Sequence, residues 1–234
     1  MLRLVALSLA LFCAQELPEL LKEDFEKGAE RWEFSDPEAW KVADTDKGKS
    51  LRIVKKTTPK TPHRSPFAIA LLKEPVVGDF VLEVDAQSTV KDYPHRDLVF
   101  VFGYQDNDHF YYSHLGKLTD KHANQIFIVN GADRAMISTK TTPGTNWTDD
   151  WHHVKVVRKI ADGTIEVYWD DMKTPVQTST NKAFLWGRVG IGSFDDLGNF
   201  DSLVLRGRVG LGSFDDLGNF DNVVLRGAKA TPEK

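Results

Sequence analysis

The strongest constraint on this chain is a succession of short, strand-length segments separated by turn residues, with no long amphipathic helical stretch. "DFVLEVDAQS" (79–88) alternates strictly: Phe80, Leu82, Val84 and Ala86 share one side, Val81, Glu83, Asp85 and Gln87 the other. Such alternation marks a strand with one face packed and one facing water. "LRIVK" (51–55), "FAIALL" (67–72), "DLVFVFGYQ" (97–105), "HFYYSHLG" (109–116), "NQIFIVN" (124–130), "WHHVKVVRK" (151–159) and "TIEVYWD" (164–170) read as further strands. "ADG" (161–163) predicts a tight hairpin turn, because Asp-Gly tolerates the positive φ such turns need, and "DND" (106–108) predicts another. "TTPKTPHRSP" (57–66) is too rich in proline for a central strand, and "KTTPGTNWTDD" (140–150) reads as a second long loop. "QELPELLKE" (15–23) is the one candidate for a turn or two of helix. Strands without helices to cover a sheet must cover one another, which predicts an all-β, two-sheet antiparallel jelly-roll sandwich.

Two segments stand apart. "GRVGIGSFDDLGNFDSLVLR" (187–206) is followed at once by "GRVGLGSFDDLGNFDNVVLR" (207–226), and only Ile191/Leu211, Ser202/Asn222 and Leu203/Val223 differ. The pair predicts a duplicated C-terminal hairpin whose spare copy extends a sheet or offers an edge for self-association. At the other end, "MLRLVALSLALFCAQ" places Arg3 before an apolar run. That run is too short to span a bilayer but matches a secretory signal. The expected layout is a signal over 1–14, a lead-in over 15–22, one sandwich domain over 23–227 and a tail over 228–234, in a secreted, periplasmic or cell-envelope protein. Cys13, the only cysteine, falls inside the signal, so the mature chain carries no disulfide. A net charge of −4 argues against a nucleic-acid partner, which calls for a basic stripe.

"EDFEKGAERWEF" (23–34), "WHHVKVVRKIADGTIEVYWDD" (151–171) and "GRVGIGSFDDLGNFDSLVLRG" (187–207) resemble the opening strand, penultimate hairpin and terminal unit of laminin-G-like and concanavalin A-like jelly rolls. Related exported bacterial domains include carbohydrate-binding modules, family 16 glycoside hydrolases and 3-keto-disaccharide hydrolase-like domains. The resemblance implies a structural calcium ion held by Asp24, the Gly28 carbonyl, and Asp201 or its duplicate Asp221, hard oxygen donors of the kind Ca²⁺ takes. No other cofactor is implied.

Glu83 and Asp85 in "EVDAQ" resemble the nucleophile and its tuning aspartate in the family 16 signature, but Gln87 stands where an acid/base carboxyl belongs. Glutamine cannot protonate a leaving alcohol, so an incomplete carboxylate pair favours binding over cleavage. Aromatic rings with hydrogen-bonding partners cluster instead between residues 93 and 130. A sugar site needs rings for the apolar faces of pyranoses and paired polar groups for the hydroxyls. Arg96, Tyr104, Tyr112, His114, His122 and Asn124 are the predicted glycan-binding set, on a concave sheet. The expected function is a secreted, lectin-like domain recognising a polysaccharide or glycoconjugate. One alternative is a glycoside or 3-keto-glycoside hydrolase using Glu83, Asp85 and His114. The other is a cell-envelope interaction protein associating through the repeat.

Overall fold

The computed structural model describes residues 17–58 and 62–208. The signal segment, Asp221 and nearly all of the second repeat copy therefore lie outside the described residues. Sixteen strands follow in chain order: β1 (Glu19–Glu23), β2 (Trp32–Phe34), β3 (Trp40–Thr45), β4 (Gly48–Ile53), β5 (Ala68–Leu72), β6 (Phe80–Ser88), β7 (Asp97–Asp106), β8 (His109–Gly116), β9 (Gln125–Asn130), β10 (Ala135–Met136), β11 (Lys140–Thr141), β12 (His152–Lys159), β13 (Thr164–Trp169), β14 (Gln177–Thr180), β15 (Arg188–Ser193) and β16 (Gly198–Gly207). They form two antiparallel sheets, one ordered β11-β14-β13-β12-β6-β16-β4-β3 with β1 also on β16, the other β10-β9-β8-β7-β15-β5-β2. This is the jelly-roll sandwich that the alternating segments predict. No helix among the described residues is long and apolar enough to cross a membrane.

The inner faces meet in one core. Leu82, Val84, Val154, Val156 and Phe200 from the nine-stranded sheet pack against Phe100, Phe102, Tyr111 and Ile191 from the seven-stranded one. Rings join the layers: Phe80 stands 6.0 Å from Phe102, and Phe100 lies edge-on to Phe200 at 6.3 Å. Burying each such side chain stabilises the fold by about 2–3 kcal/mol. The long loop after β11 is pinned by Trp147, which is buried, donates from Nε1 to the Leu115 carbonyl at 2.9 Å and packs edge-on to Trp169 at 4.5 Å.

Two expectations are corrected. The candidate helix over 15–23 is strand β1 over Glu19–Glu23, because pairing with β16 takes up its backbone groups (Lys22 opposite Val204, Glu23 opposite Leu203). Tertiary pairing here outweighs a weak helix preference. The first repeat copy is also no hairpin within one sheet. β15 lies between β5 and β7 in the seven-stranded sheet, while β16 lies beside β6, β4 and β1 in the nine-stranded one. The "FDDLG" turn carries the chain from one layer to the other. The glycines of β15 have a packing reason: a Cβ on Gly192 would sit 2.1 Å from the Ala68 carbonyl oxygen, and one on Gly190 2.5 Å from that of Ala70.

The two outer faces differ. On β6, inner residues are buried and outer ones half-buried in strict alternation. On β7, β8 and β9 nearly every residue is buried, so the outer face of the seven-stranded sheet is covered too. A second apolar cluster there holds Val101, Phe110, Tyr112, Phe127, Val129 and Phe194. Residues 62–67 and the turn after β9 clasp over it. Arg64 N donates to Asp133 Oδ1 at 2.9 Å, Arg134 N to the Arg64 carbonyl at 3.2 Å, and Phe67 meets Phe194 edge-on at 5.4 Å.

Candidate functional site

The six residues predicted to face a sugar do not line an open hollow. Tyr112 and Asn124 are fully buried, and Arg96, His114 and Tyr104 are 1%, 4% and 8% exposed, so their surfaces are already taken; His122 alone is exposed. Tyr112 stacks on Phe127 at 5.2 Å and accepts a hydrogen bond from Arg134 Nη1 at 3.0 Å. The Arg134 guanidinium lies 4.6 Å from the Phe127 ring and 4.5 Å from Phe194, closing the aromatic surface from outside. Tyr104 stands beside Phe110, 5.5 Å away, rather than beside Tyr112. His114 donates from Nδ1 to the His122 carbonyl at 2.8 Å, and its Nε2 lies 2.9 Å from Asp97 Oδ2. Asn124 sits at φ 54 and gives its Nδ2 to Thr119 Oγ1 at 2.6 Å and the Thr142 carbonyl at 3.0 Å. These side chains hold loops against a sheet.

Glu83, Asp85 and His114 are not brought together either. Glu83 and Asp85 point outward from β6 in the nine-stranded sheet, while His114 points outward from β8 in the other, so the sandwich separates them. The two carboxylates belong to a chain of ion pairs. Lys47 Nζ lies 2.5 Å from Asp85 Oδ2, His153 Nδ1 lies 2.6 Å from Asp85 Oδ1 and its Nε2 3.4 Å from Glu83 Oε2, and Arg206 Nη1 lies 2.9 Å from Glu83 Oε1. Burial opposes ionisation of Asp85, but hydrogen bonds from His153 and Lys47 outweigh it and hold the carboxyl below its ordinary range. The same bond to Asp85 raises the His153 imidazole against the opposing effect of burial. No segment motif pointed to His153; only the register that sets it opposite Asp85 does.

Of the expected calcium ligands, Asp24, Gly28 and Asp201 fall among the described residues and Asp221 outside them. Asp24 Oδ1 accepts from Glu26 N at 3.2 Å within its own turn, and Gly28, at φ 102, donates its N–H to the Phe25 carbonyl at 3.1 Å. Asp201 sits opposite Asp85 with Oδ1 buried and without a hydrogen-bond partner among the described residues; burial, then Asp85, pushes its carboxyl up. Among the described residues no group of three or more His, Cys, Asp or Glu side chains is placed to hold a metal.

The open site lies at the other end of the same outer face. Register places Lys41, Arg52, Asn199 and Gln87 side by side across β3, β4, β16 and β6. They line a cleft of about 730 Å³ together with Lys91 and Asp149. Three of them are tied in one direction: Arg52 Nε donates to Asn199 Oδ1 at 2.6 Å, Asn199 Nδ2 to Gln87 Oε1 at 2.7 Å, and Gln87 Nε2 to the Asp149 carbonyl at 2.8 Å. Behind Asp149 stands the buried Arg96. Its Nη2 reaches Asp149 Oδ1 at 2.7 Å and the Ser88 carbonyl at 2.8 Å, and its Nε reaches Ser88 Oγ at 2.9 Å. Arg96, predicted to touch ligand, instead braces a wall of this cleft. The relay fixes polar side chains before any ligand arrives, so little ordering entropy remains to be lost on binding.

No protein-family model matches the chain, and no curated protein matches it. Several solved structures share its fold. It is similar to the CBM66 carbohydrate-binding module from Bacillus subtilis, at 18% identity and a TM-score of 0.54 over 76% of this chain and 96% of that one. It is similar to domain 4 of AbnA, a GH43 extracellular arabinanase from Geobacillus stearothermophilus, in complex with arabinotriose (12% identity, TM-score 0.54, 83% and 95% covered). A Bacillus subtilis protein with a galectin-like fold aligns at 10% identity and a TM-score of 0.57, over 83% of this chain and 98% of that one. At such identities the likeness establishes the sandwich.

Proposed function

We propose that this protein is an exported carbohydrate-binding domain that takes a glycan in the cleft formed by Lys41, Arg52, Gln87 and Asn199, without cleaving it. The observation that carries this reading is the ordered Arg52–Asn199–Gln87 relay on the floor of a cleft about 730 Å³ in size, within the range of small-molecule sites. The Gln87 amide and the Arg52 guanidinium offer sugar hydroxyls donors and acceptors, and the buried Asn199 between them holds both at fixed spacing. The likeness of fold to a carbohydrate-binding module and to an arabinanase domain supports the same reading. Binding without cleavage is supported by the state of Glu83 and Asp85, since each carboxylate already carries a fixed cationic partner. Affinity electrophoresis through gels cast with neutral and acidic polysaccharides is the test. At least one glycan should retard the protein, Asn199→Ala should lose about 1–2 kcal/mol of that binding, and no reducing sugar should appear. Unchanged migration across the panel, or unaltered binding by Asn199→Ala, would reject the assignment.

A further inference from the structure

We propose that the glycan this cleft selects is acidic, a chain bearing carboxylates such as a polyuronate, in preference to a neutral polymer of the same backbone. The inference rests on the glycan reading above and adds the ligand's charge. Five ionisable side chains line the cleft: Lys41, Arg52, Lys91, Asp92 and Asp149. The two acids are already neutralised by bases outside the lining, Asp149 by the buried Arg96 at 2.7 Å and Asp92 by Lys117. The three bases are not. Among the described residues neither Lys41 nor Lys91 makes an ion pair, and Arg52 bonds only to uncharged oxygens, Asn199 Oδ1 at 2.6 Å and the Asp44 carbonyl at 3.5 Å. A chain with net charge −4 thus presents a locally cationic cleft, opposite in sign to the molecule around it.

Arg52 supplies the geometry as well as the charge. Its Nε is committed to Asn199, which Gln87 holds in turn, so the planar guanidinium is oriented by the protein. Nη1 and one proton of Nη2 remain without a partner among the described residues. Paired N–H groups on a fixed plane match the two oxygens of a carboxylate, whereas a sugar hydroxyl engages only one of them. Lys41, next to Arg52 across the β3–β4 pair, adds a point charge one strand away. Repeating carboxylates along one chain would meet both.

The test compares de-esterified polygalacturonate with its fully methyl-esterified form, by calorimetry on the whole protein at low and physiological salt. The two polymers share a backbone and differ in charge. De-esterified chains should bind at least about ten-fold tighter, with the gap shrinking as salt rises. Arg52→Gln should remove most of that preference, and the exposed Lys91→Gln, which cannot disturb the core, should weaken it. Arg52→Lys keeps the charge but loses the fork, so its preference should fall between wild type and Arg52→Gln. Equal affinity for both forms overturns the acidic preference; if Asn199→Ala still weakens that binding, the glycan reading stands without it. Binding of dextran sulfate as tight as that of polygalacturonate would show simple ion exchange and overturn carboxylate selection. Binding of neither form, nor of any polysaccharide in the electrophoretic panel, defeats both readings.

Discussion

Asp196 shows how one carboxyl couples burial to pH. It is 2% exposed, accepts from Tyr93 Oη at 2.6 Å and from Asp97 N at 2.9 Å, and stands beside the Asp97 charge. Burial first, then Asp97, pushes its carboxyl up to about 6, more than the two hydrogen bonds pull it down. A folded-state value above the unfolded one means that the folded protein binds this proton more tightly. The stabilisation is therefore complete below about pH 4 and is lost as pH rises through 6. Relative to Asp196→Asn, wild-type stability measured by urea unfolding should fall by about 2–3 kcal/mol between pH 4 and 7; a constant difference would contradict the assignment. Ser202 is a second informative residue. It is exposed at φ 51 in the β16 irregularity, a conformation that asparagine tolerates better than serine. The second repeat copy has asparagine at the matching position. Ser202→Asn should stabilise by ~0.5 kcal/mol, whereas Leu203→Val, at a 1% exposed core position, should cost about 1 kcal/mol. Thermal melts of both single variants and the double variant check this; a destabilised Ser202→Asn would refute the backbone argument.

At the scale of elements, the repeat copy that is seen fills an interior position in each sheet. β15 has neighbours on both sides and so does β16, so the unit stitches the layers together. Such a slot accepts a sequence only if inward and outward residues keep phase, and a twenty-residue period preserves that phase between the copies. The loop between β11 and β12 plays a different part, carrying little regular structure yet anchored in the core. Trp147→Ala removes the indole from between Leu115 and Trp169 and should cost about 3–5 kcal/mol in chemical denaturation. The same loop delivers Asp149 to the cleft, so its anchorage and the geometry of the Gln87 relay are linked. A loss under 1 kcal/mol would mean that the loop is not held by its tryptophan.

For the molecule as a whole, the asymmetry between the outer faces decides where a ligand can go. The seven-stranded sheet is covered on both sides, while the nine-stranded sheet keeps a polar face whose one end opens into the cleft. Part of this was legible beforehand. "DFVLEVDAQS" alternates and has an open face; "DLVFVFGYQ" and "NQIFIVN" run apolar without a break, the pattern of strands buried on both sides. That second signal argues against placing a sugar on Tyr112 and His114, whose strand lies between those two. β1, β3 and β14 left weaker traces, since a strand of four to six residues with mixed polarity has no distinctive period. The cleft had none at all: Lys41 and Arg52 come from one hairpin, Gln87 and Asn199 from strands far along the chain, and no local motif joins them. The amino-acid sequence by itself determined the strands that carry a strict period, the turns between them and hence the sandwich, because side-chain direction alternates locally along each strand. Only the tertiary structure decided which face is covered and which residues meet in the cleft, because strand order and register are set by long-range pairing and by the loops that pack across a sheet.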